Sequence, residues 1–294
     1  MRAAVLLVAL LASPALAAPQ RIISLAPSVT ETLFALGAGD RLVGVSSYCD
    51  YPAAAKAIDE VGTFLQPNVE RIIAKRPDLV IAVPSPGNRA PVERLQALGV
   101  EVLVVNPERI DTILAAIGAI AAAVGTPEAG AALVAKIEAE LAAVEARLKG
   151  VTPVRTLLLV GRSPFVAAGP GTYQDELITR AGGVNVAADT GQSWPNLSLE
   201  LIVAEAPQVI IDASMGSEEL AGGAAVRSFW DTFPTIPAVR DQRIHGYRAY
   251  ELLRPGPRVA ETLATVAGFI HPQRMQSDRG SDRPAAATVV PARR

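Results

Sequence analysis

Short aliphatic runs and amphipathic stretches alternate along the first part of the chain. Runs such as "RIISLA" and "RLVGV" are rich in β-branched residues, which favour strands, and the stretches between them place apolar residues at helical spacing. We therefore predict an α/β lobe with a largely parallel sheet. Its predicted helices are 29–36, 68–75 and 90–98, and further strands are predicted at 78–82 and 100–105.

A stretch rich in Ala, Glu, Leu and Lys separates this lobe from a second one with the same alternation. Thr126 as N-cap, Pro127 at the first helical position and Gly150 past the end delimit a helix over 127–149. The predicted fold class is thus α/β, with two lobes of mainly parallel sheet joined by a single long helix. The ranges are 18–125 for the N-terminal lobe, 126–150 for the interlobe helix, 151–272 for the C-terminal lobe and 273–294 for a disordered tail without periodicity.

The second lobe repeats the elements of the first. A strand "VRTLLLV" is followed by a helical stretch "TYQDELITRAGG" with a glycine stop, much like "VTETLFALGAG" near the start. Further strands are predicted at 209–212 and "RIHGY", and further helices at 198–204, 218–232 and 257–269.

The N-terminus has the pattern of a secretory signal peptide. Arg2 precedes an apolar run over 3–12, and Ala15-Leu16-Ala17 is a cleavage pattern, so we predict a signal peptide over 1–17. The apolar run is too short to span a bilayer. Because no cysteine lies near the cleavage site, we expect an exported periplasmic chain without a lipid anchor.

Composition narrows the possible partners. The 294 residues carry a formal net charge of −2, which gives no reason to expect nucleic acid or an anionic membrane surface. Cys49 is the only cysteine, which excludes an internal disulfide. Its sequence neighbours include no catalytic partner, so we expect a small structural or loop cysteine.

One helix-then-strand phrase occurs twice. "NVERIIAKRPDLVI" at 68–81 returns as "SLELIVAEAPQVII" at 198–211, which suggests pseudo-twofold symmetry between the lobes. Asn68 and Ser198 are good N-caps and place Glu70 and Glu200 in the first helical turn. Each glutamate alone would gain about 0.3–1 kcal/mol from the helix dipole and need no function. The alternative is a matched pair of carboxylates that docks a symmetric partner.

Four segments carry a family resemblance: "RIISLAPSVTETLFALGAGDRLVGVSSYCDYP", "NVERIIAKRPDLVIA", "WPNLSLELIVAEAPQVII" and "LRPGPR". Over roughly residues 20–270 the chain resembles the periplasmic binding proteins that feed ABC importers of cobalamin, haem and iron-siderophores, and most of all the cobalamin-binding members. The resemblance implies a ligand cleft between the lobes. It also implies that Glu70 and Glu200 pair with arginines on the two subunits of an inner-membrane permease dimer, and that the binding protein is a monomer.

Several of the few aromatic residues fall in loops after predicted strands, where ligands of two-lobed α/β proteins collect. Candidate ligand-binding residues are Tyr48, Phe64, Trp194 and Tyr250. The resemblance implies that Tyr48, Phe64 and Trp194 contact a corrin ring, with Phe64 where a tryptophan is common. Val83 departs from the pattern, since another tryptophan is expected there, and this leaves room for cobinamide or another corrinoid.

Haem is the alternative ligand, and it would need an axial tyrosine or histidine. His245 in a predicted strand and His271 at the end of the last helix are expected to be structural, which leaves Tyr48 or Tyr173. A ferric siderophore would favour cleft arginines, for which the candidates are Arg162, Arg248 and Arg254.

An exported α/β hydrolase is the alternative of a different class. The G-x-S-x-G pattern is absent, since "GRSPF" and "GVSSY" lack the final glycine, and "GAGDRL" lacks the last glycine of a dinucleotide fingerprint. No grouped histidines and carboxylates suggest a bare metal site. We therefore expect a binding protein with no catalytic residues, no metal site and no resident cofactor.

Overall fold

The computed structural model describes residues 18–214, 224–247 and 252–276. The first lobe contains strands β1 (Ile22–Ser24), β2 (Leu42–Val45), β3 (Leu79–Ala82) and β4 (Val102–Val104), and helices α1 (Pro27–Ala35), α2 (Val69–Ala74) and α3 (Arg89–Ala97). Its four strands are all parallel and lie in the order β2-β1-β3-β4. The parallel α/β lobe predicted from the aliphatic runs is confirmed.

Two consecutive helices connect the lobes, α4 (Ile110–Ala123) and α5 (Pro127–Arg147). Ile113 near the start of α4 packs in the core of the second lobe, and Ile120 near its end packs in the core of the first. Leu133 of α5 contacts both cores, and Leu141 lies in the second. The long helix predicted over 127–149 is present as α5, and α4 adds a second, antiparallel connection that the sequence analysis did not identify.

The start of α4 is held by a local cap and by a contact from the second lobe. The Thr112 hydroxyl oxygen accepts a hydrogen bond from the Arg109 N–H (2.9 Å). The Ile110 N–H donates to the carboxylate of Glu176 (2.9 Å), which lies in the second lobe. Because the first N–H groups of a helix have no partner within it, Glu176 both caps α4 and ties it to the second lobe.

The second lobe contains strands β5 (Val154–Arg162), β6 (Phe165–Ala167), β7 (Gly183–Asn185), β8 (Asn196–Leu197), β9 (Val209–Asp212) and β10 (Ile244–Gly246). They form one sheet in the order β10-β9-β5-β6-β8, with β7 paired to β5. The pairs β10–β9, β9–β5 and β5–β7 are parallel, whereas β5–β6 and β6–β8 are antiparallel. The helices are α6 (Tyr173–Arg180), α7 (Leu199–Glu205), α8 (Ala224–Trp230), α9 (Pro237–Arg240), α10 (Val259–Ile270) and α11 (Pro272–Met275).

The central strands are buried on both faces. Leu79 and Ile81 of β3 pack with α1 and α4, whereas Val80 and Ala82 pack with α2 and α3. Such burial explains why the strands read as continuous aliphatic runs instead of alternating patterns. None of the helices within the described ranges is long and apolar enough to cross a membrane.

The C-terminal end requires one correction. Residues 273–275 were predicted to belong to a disordered tail, but they lie in α11. Pro272 occupies the first helical position, and the Gln276 N–H donates to the Pro272 carbonyl (3.1 Å), which closes one more turn. Residues 277–294 of the predicted tail, and residues 218–223 of the predicted helix 218–232, lie outside the described residues.

Candidate ligand cleft and docking surface

The loop after β2, residues 46–52, exposes a tyrosine to solvent and is anchored by a buried residue next to it. The Tyr48 side chain is 62% exposed. Its neighbour Cys49 is buried, with its sulfur 3.1 Å from the Thr30 hydroxyl and 3.2 Å from the Ser46 hydroxyl. Burial raises the pKa of the Cys49 thiol. The cysteine thus anchors a loop whose tyrosine faces outward.

The loop after β3 is tied to the segment that carries Phe64. The side-chain amide of Asn88 donates to the carbonyls of Phe64 (3.3 Å) and Val83 (2.8 Å). Phe64 is half-buried and packs on the first-lobe core together with Val83. Val83 also lines a groove of about 480 Å³ beside the carboxyl ends of β3 and β4, with Pro84 among its neighbours.

Trp194 projects from the second lobe on a firmly held loop. Its side chain is 45% exposed. The N–H groups of Ala167 and Gly169 donate to the carbonyls of Pro195 (3.0 Å) and Ser193 (2.8 Å). A side chain at Gly169 would place its Cβ 2.0 Å from the Gln192 carbonyl oxygen, so this approach requires glycine. The indole is therefore presented from a rigid support.

A buried carboxylate that the sequence analysis missed lies at the carboxyl end of β9. Asp212 accepts hydrogen bonds from the Trp230 indole N–H (2.9 Å) and the Ser214 hydroxyl (2.6 Å). Its charged partner is Arg162 at the end of β5 (3.2 Å), whose guanidinium lies 5.0 Å from the centre of the Phe229 ring. A buried carboxylate requires such partners, and together they place Arg162 at the strand ends.

Glu70 and Glu200 occupy equivalent positions in the two lobes. Asn68 accepts a hydrogen bond from the Arg71 N–H (2.8 Å), and Ser198 accepts one from the Leu201 N–H (3.2 Å), so both predicted N-caps are confirmed. Both glutamates are exposed in the first turn. Hydrogen bonds from its own backbone and from the Ser198 side chain lower the pKa of the Glu200 carboxyl. Glu70 instead lies 3.4 Å from the guanidinium of Arg94.

The two lobes are joined by long helices, and each lobe carries an exposed aromatic residue on a loop. Residues 22–250 match the sequence profile of the periplasmic binding proteins. This chain belongs to that family. The vitamin B12-binding protein of Yersinia pestis is 35% identical over 237 residues, which are 81% of this chain and 83% of the relative.

Solved structures agree with this membership. The periplasmic vitamin B12-binding protein of Vibrio cholerae superimposes with a TM-score of 0.76 at 28% identity, over 88% of this binding protein and 98% of that chain. The periplasmic haem-binding protein of Roseiflexus sp. RS-1 superimposes with a TM-score of 0.78 at 31% identity, over 87% and 99%. The resemblance inferred from the sequence motifs is confirmed at the level of the family and the fold.

The candidate axial ligands for haem differ in how far they are exposed in this binding protein. Tyr173 is only 3% exposed and packs in the second-lobe core, so it cannot reach a ligand. His245 stacks on Phe269 with ring centroids 4.4 Å apart, and burial lowers its pKa to about 4. The His271 ring lies 3.0 Å from the Gly182 carbonyl. Of the haem candidates, Tyr48 alone is exposed.

Three further candidates are Tyr250, Arg248 and Arg254. Tyr250 and Arg248 lie outside the described residues. Arg254 is buried and pairs with carboxylates of the first lobe, whereas Arg162 pairs with a carboxylate of the second lobe.

Proposed function

We propose that this protein captures cobalamin or a related corrinoid between its lobes and delivers it to the permease of an ABC importer. The observation that carries the proposal is the 35% identity to a vitamin B12-binding protein over 81% of the chain. The proposed cellular location is the periplasm, to which the predicted signal peptide would direct the chain. The role is binding and release, without chemical change of the ligand.

Exposed aromatic residues on both lobes support a large planar ligand. Tyr48 projects from the first lobe and Trp194 from the second. Flat, rigid side chains bury large area on a corrin at a low entropic cost. We assign Tyr48, Phe64, Trp194 and Tyr250 as ligand contacts. Val83 stands where a tryptophan is expected and lines a groove instead, which is the reason why the proposal extends beyond cobalamin to related corrinoids.

Substitution of Trp194 tests this assignment. Trp194→Ala should weaken binding of cyanocobalamin by about tenfold, which corresponds to about 1.4 kcal/mol, as measured by calorimetric titration. Leu98→Ala is a matched control, because Leu98 is also a large exposed apolar residue but ends a helix of the first lobe. Equal affinities of the two variants would contradict the assignment.

Haem is the second candidate, and one observation favours it. The haem-binding relative superimposes as well as the vitamin B12-binding one, and the exposed Tyr48 phenol is available as an axial ligand. If haem is the ligand, hemin titration should give a shifted Soret band that Tyr48→Phe abolishes. If a corrinoid is the ligand, Tyr48→Phe should retain most of the affinity for cyanocobalamin, because the ring face is unchanged.

For delivery, we assign Glu70 and Glu200 as the two docking points for the permease subunits. They lie exposed at equivalent positions of the two lobes, which suits a partner with twofold symmetry. Exposed ion pairs mainly steer and orient a complex, so docking should weaken with added salt.

Removal of both carboxylates tests docking separately from binding. The double variant Glu70→Ala with Glu200→Ala should keep its affinity for cyanocobalamin and reduce uptake of the labelled vitamin by cells at least tenfold. Glu128→Ala is the control, because Glu128 is also an exposed glutamate in a first helical turn. Normal uptake with the double variant would overturn the docking assignment.

A further inference from the structure

Two arginines of the second lobe bind directly to the first lobe. Arg258 donates from Nε and Nη2 to the two carboxylate oxygens of Glu31 at 2.8 and 2.7 Å. Arg254 lies 2.5 Å from a carboxylate oxygen of Asp50 and donates from Nη2 to the Tyr48 carbonyl at 2.8 Å. The two arginines are the first and last residues of "RPGPR", which leads into α10, and their partners lie on α1 and in the loop 46–52.

The centre of this contact is shielded from water. The side chains of Glu31 and Arg254 are 2% and 7% exposed, and their charged atoms lie 3.6 Å apart. Buried charges must be paired to be tolerated. Gly256, between the two arginines, lies so close to α1 that an added Cβ would be 3.2 Å from the Ser28 side chain. The segment therefore packs on the first lobe by both charge and shape.

Both tyrosines of the loop 46–52 are reached by these arginines. Arg254 holds Tyr48 through its backbone carbonyl. Arg258 lies with its guanidinium carbon 4.1 Å from the centre of the Tyr51 ring, a cation–π contact. The loop is thus anchored in its own lobe by the buried Cys49 and is also bound by the two arginines of the opposite lobe.

We propose that Arg254 and Arg258 are positioning residues, which hold the loop 46–52 so that Tyr48 is presented to the ligand before it binds. The inference rests on the proposed function, because it takes Tyr48 as a ligand contact. A loop that is already ordered in the free protein pays no entropic cost of ordering when the ligand binds, so the affinity is higher. The two lobes thereby share one ligand wall: the first supplies the aromatic side chain, and the second supplies its support.

The arrangement requires the planar guanidinium. Arg254 serves the Tyr48 carbonyl and the Asp50 carboxylate with two separate nitrogens. A lysine carries one ammonium group on a flexible stem and cannot reproduce such a fork. Arg254→Lys therefore keeps the charge next to Glu31 and Asp50 while removing the geometry, and Asp50→Asn weakens the same contact at a partly exposed position.

Hydrogen exchange of the ligand-free protein gives the first test. The N–H groups of Ser47 and Cys49 are bonded to the carbonyls of Gly62 (2.9 Å) and Ser46 (3.0 Å). Arg254→Lys and Asp50→Asn should each speed exchange in the peptide 46–52 by about tenfold. Arg180→Lys is the control, because Arg180 also pairs with two carboxylates, Glu145 and Glu176. Unchanged exchange in both loop variants overturns the proposal, whatever the ligand is.

A double-mutant cycle gives the second test, with cyanocobalamin as the probe and hemin in its place if only hemin binds. Arg254→Lys should weaken binding about tenfold when Tyr48 is present and less than twofold in a Tyr48→Ala background. Equal losses in both backgrounds would show that Arg254 acts on overall stability and would overturn the positioning role. Failure of both probes to bind would refute the proposed ligand, and hydrogen exchange would still decide the inference.

Discussion

A single buried polar side chain, that of Asn88, fixes the backbone of two loops of the first lobe. The side-chain amide of Asn88 links the backbone carbonyls of Phe64 and Val83, and its side-chain oxygen Oδ1 accepts a hydrogen bond from the Ser85 N–H (3.0 Å). The side chain is 2% exposed, so water cannot replace it. Because a buried polar group without a partner costs about 1–3 kcal/mol, each such contact fixes the backbone that carries a proposed ligand contact.

Replacement of Asn88 tests this dependence. Asn88→Ala should lower the free energy of unfolding by about 1–3 kcal/mol, because it removes three hydrogen bonds made by a buried side chain. Urea unfolding followed by circular dichroism measures the change. Asn106→Ala serves as the control, since Asn106 lies exposed after the neighbouring strand. Equal midpoints for the two variants would contradict the role given to Asn88.

His245 makes stability depend on pH. Burial, followed by the charges of Arg243 and Arg227, lowers its pKa to about 4. The unfolded chain takes up this proton near pH 6.5 and the folded chain only near pH 4, so stability falls as the pH drops through this window. His245→Phe keeps the stacking on Phe269 but takes up no proton. The difference in unfolding free energy between wild type and variant should therefore vary between pH 7 and pH 4.5, and a constant difference would contradict the assignment.

At the scale of elements, the two connecting helices touch closely at a glycine. A Cβ added to Gly130 of α5 would lie 2.3 Å from the Ala121 Cβ of α4, whereas one added to Gly118 of α4 would meet nothing within 4 Å. Gly130→Ala should therefore destabilise the protein by about 1–3 kcal/mol through overpacking. Gly118→Ala should stabilise it by about 0.5–1 kcal/mol, because alanine loses less backbone entropy in a helix. Thermal unfolding of the two variants measures both, and shifts of the same sign would contradict the packing.

Elements with local signals were predictable and those defined by distant contacts were not. The N-caps Asn68 and Ser198 and the strand at 209–212 follow from short-range patterns, and the structure contains them. The strands β6 and β8 span three and two residues and exist through antiparallel pairing, which leaves little trace in the sequence. Helix α4 buries isoleucines at helical spacing, but alanine and glycine instead of charged residues occupy most of its exposed face, so the contrast between its faces is low in the sequence.

The contacts between the two lobes could not be predicted from the sequence either. Arg258 and Glu31 are 227 positions apart in the chain. The sequence shows their charges, but only the fold brings them together. Tyr48 and Trp194 were identified as candidates because aromatic residues are few and fall in loops near strand ends. Asp212 was read as the end of a strand, and two of its three partners come from other segments of the chain.

For the whole molecule, the lobes are connected in two ways. Helices α4 and α5 pack in both cores, and Arg254 and Arg258 join the loop before α10 to the first lobe. Such connections leave little freedom for hinge closure. The radius of gyration from small-angle scattering should stay the same when the ligand is added, within the error of the curve. A clear compaction would contradict this account of the connection.

The central claim is that the protein binds a corrinoid. Calorimetric titration of the purified protein with cyanocobalamin, and with hemin in parallel, tests it most directly. The account predicts tight one-to-one binding of cyanocobalamin, a weaker affinity for Trp194→Ala and no specific binding of hemin. Binding of hemin with a shifted Soret band, and no heat with cyanocobalamin, would contradict it.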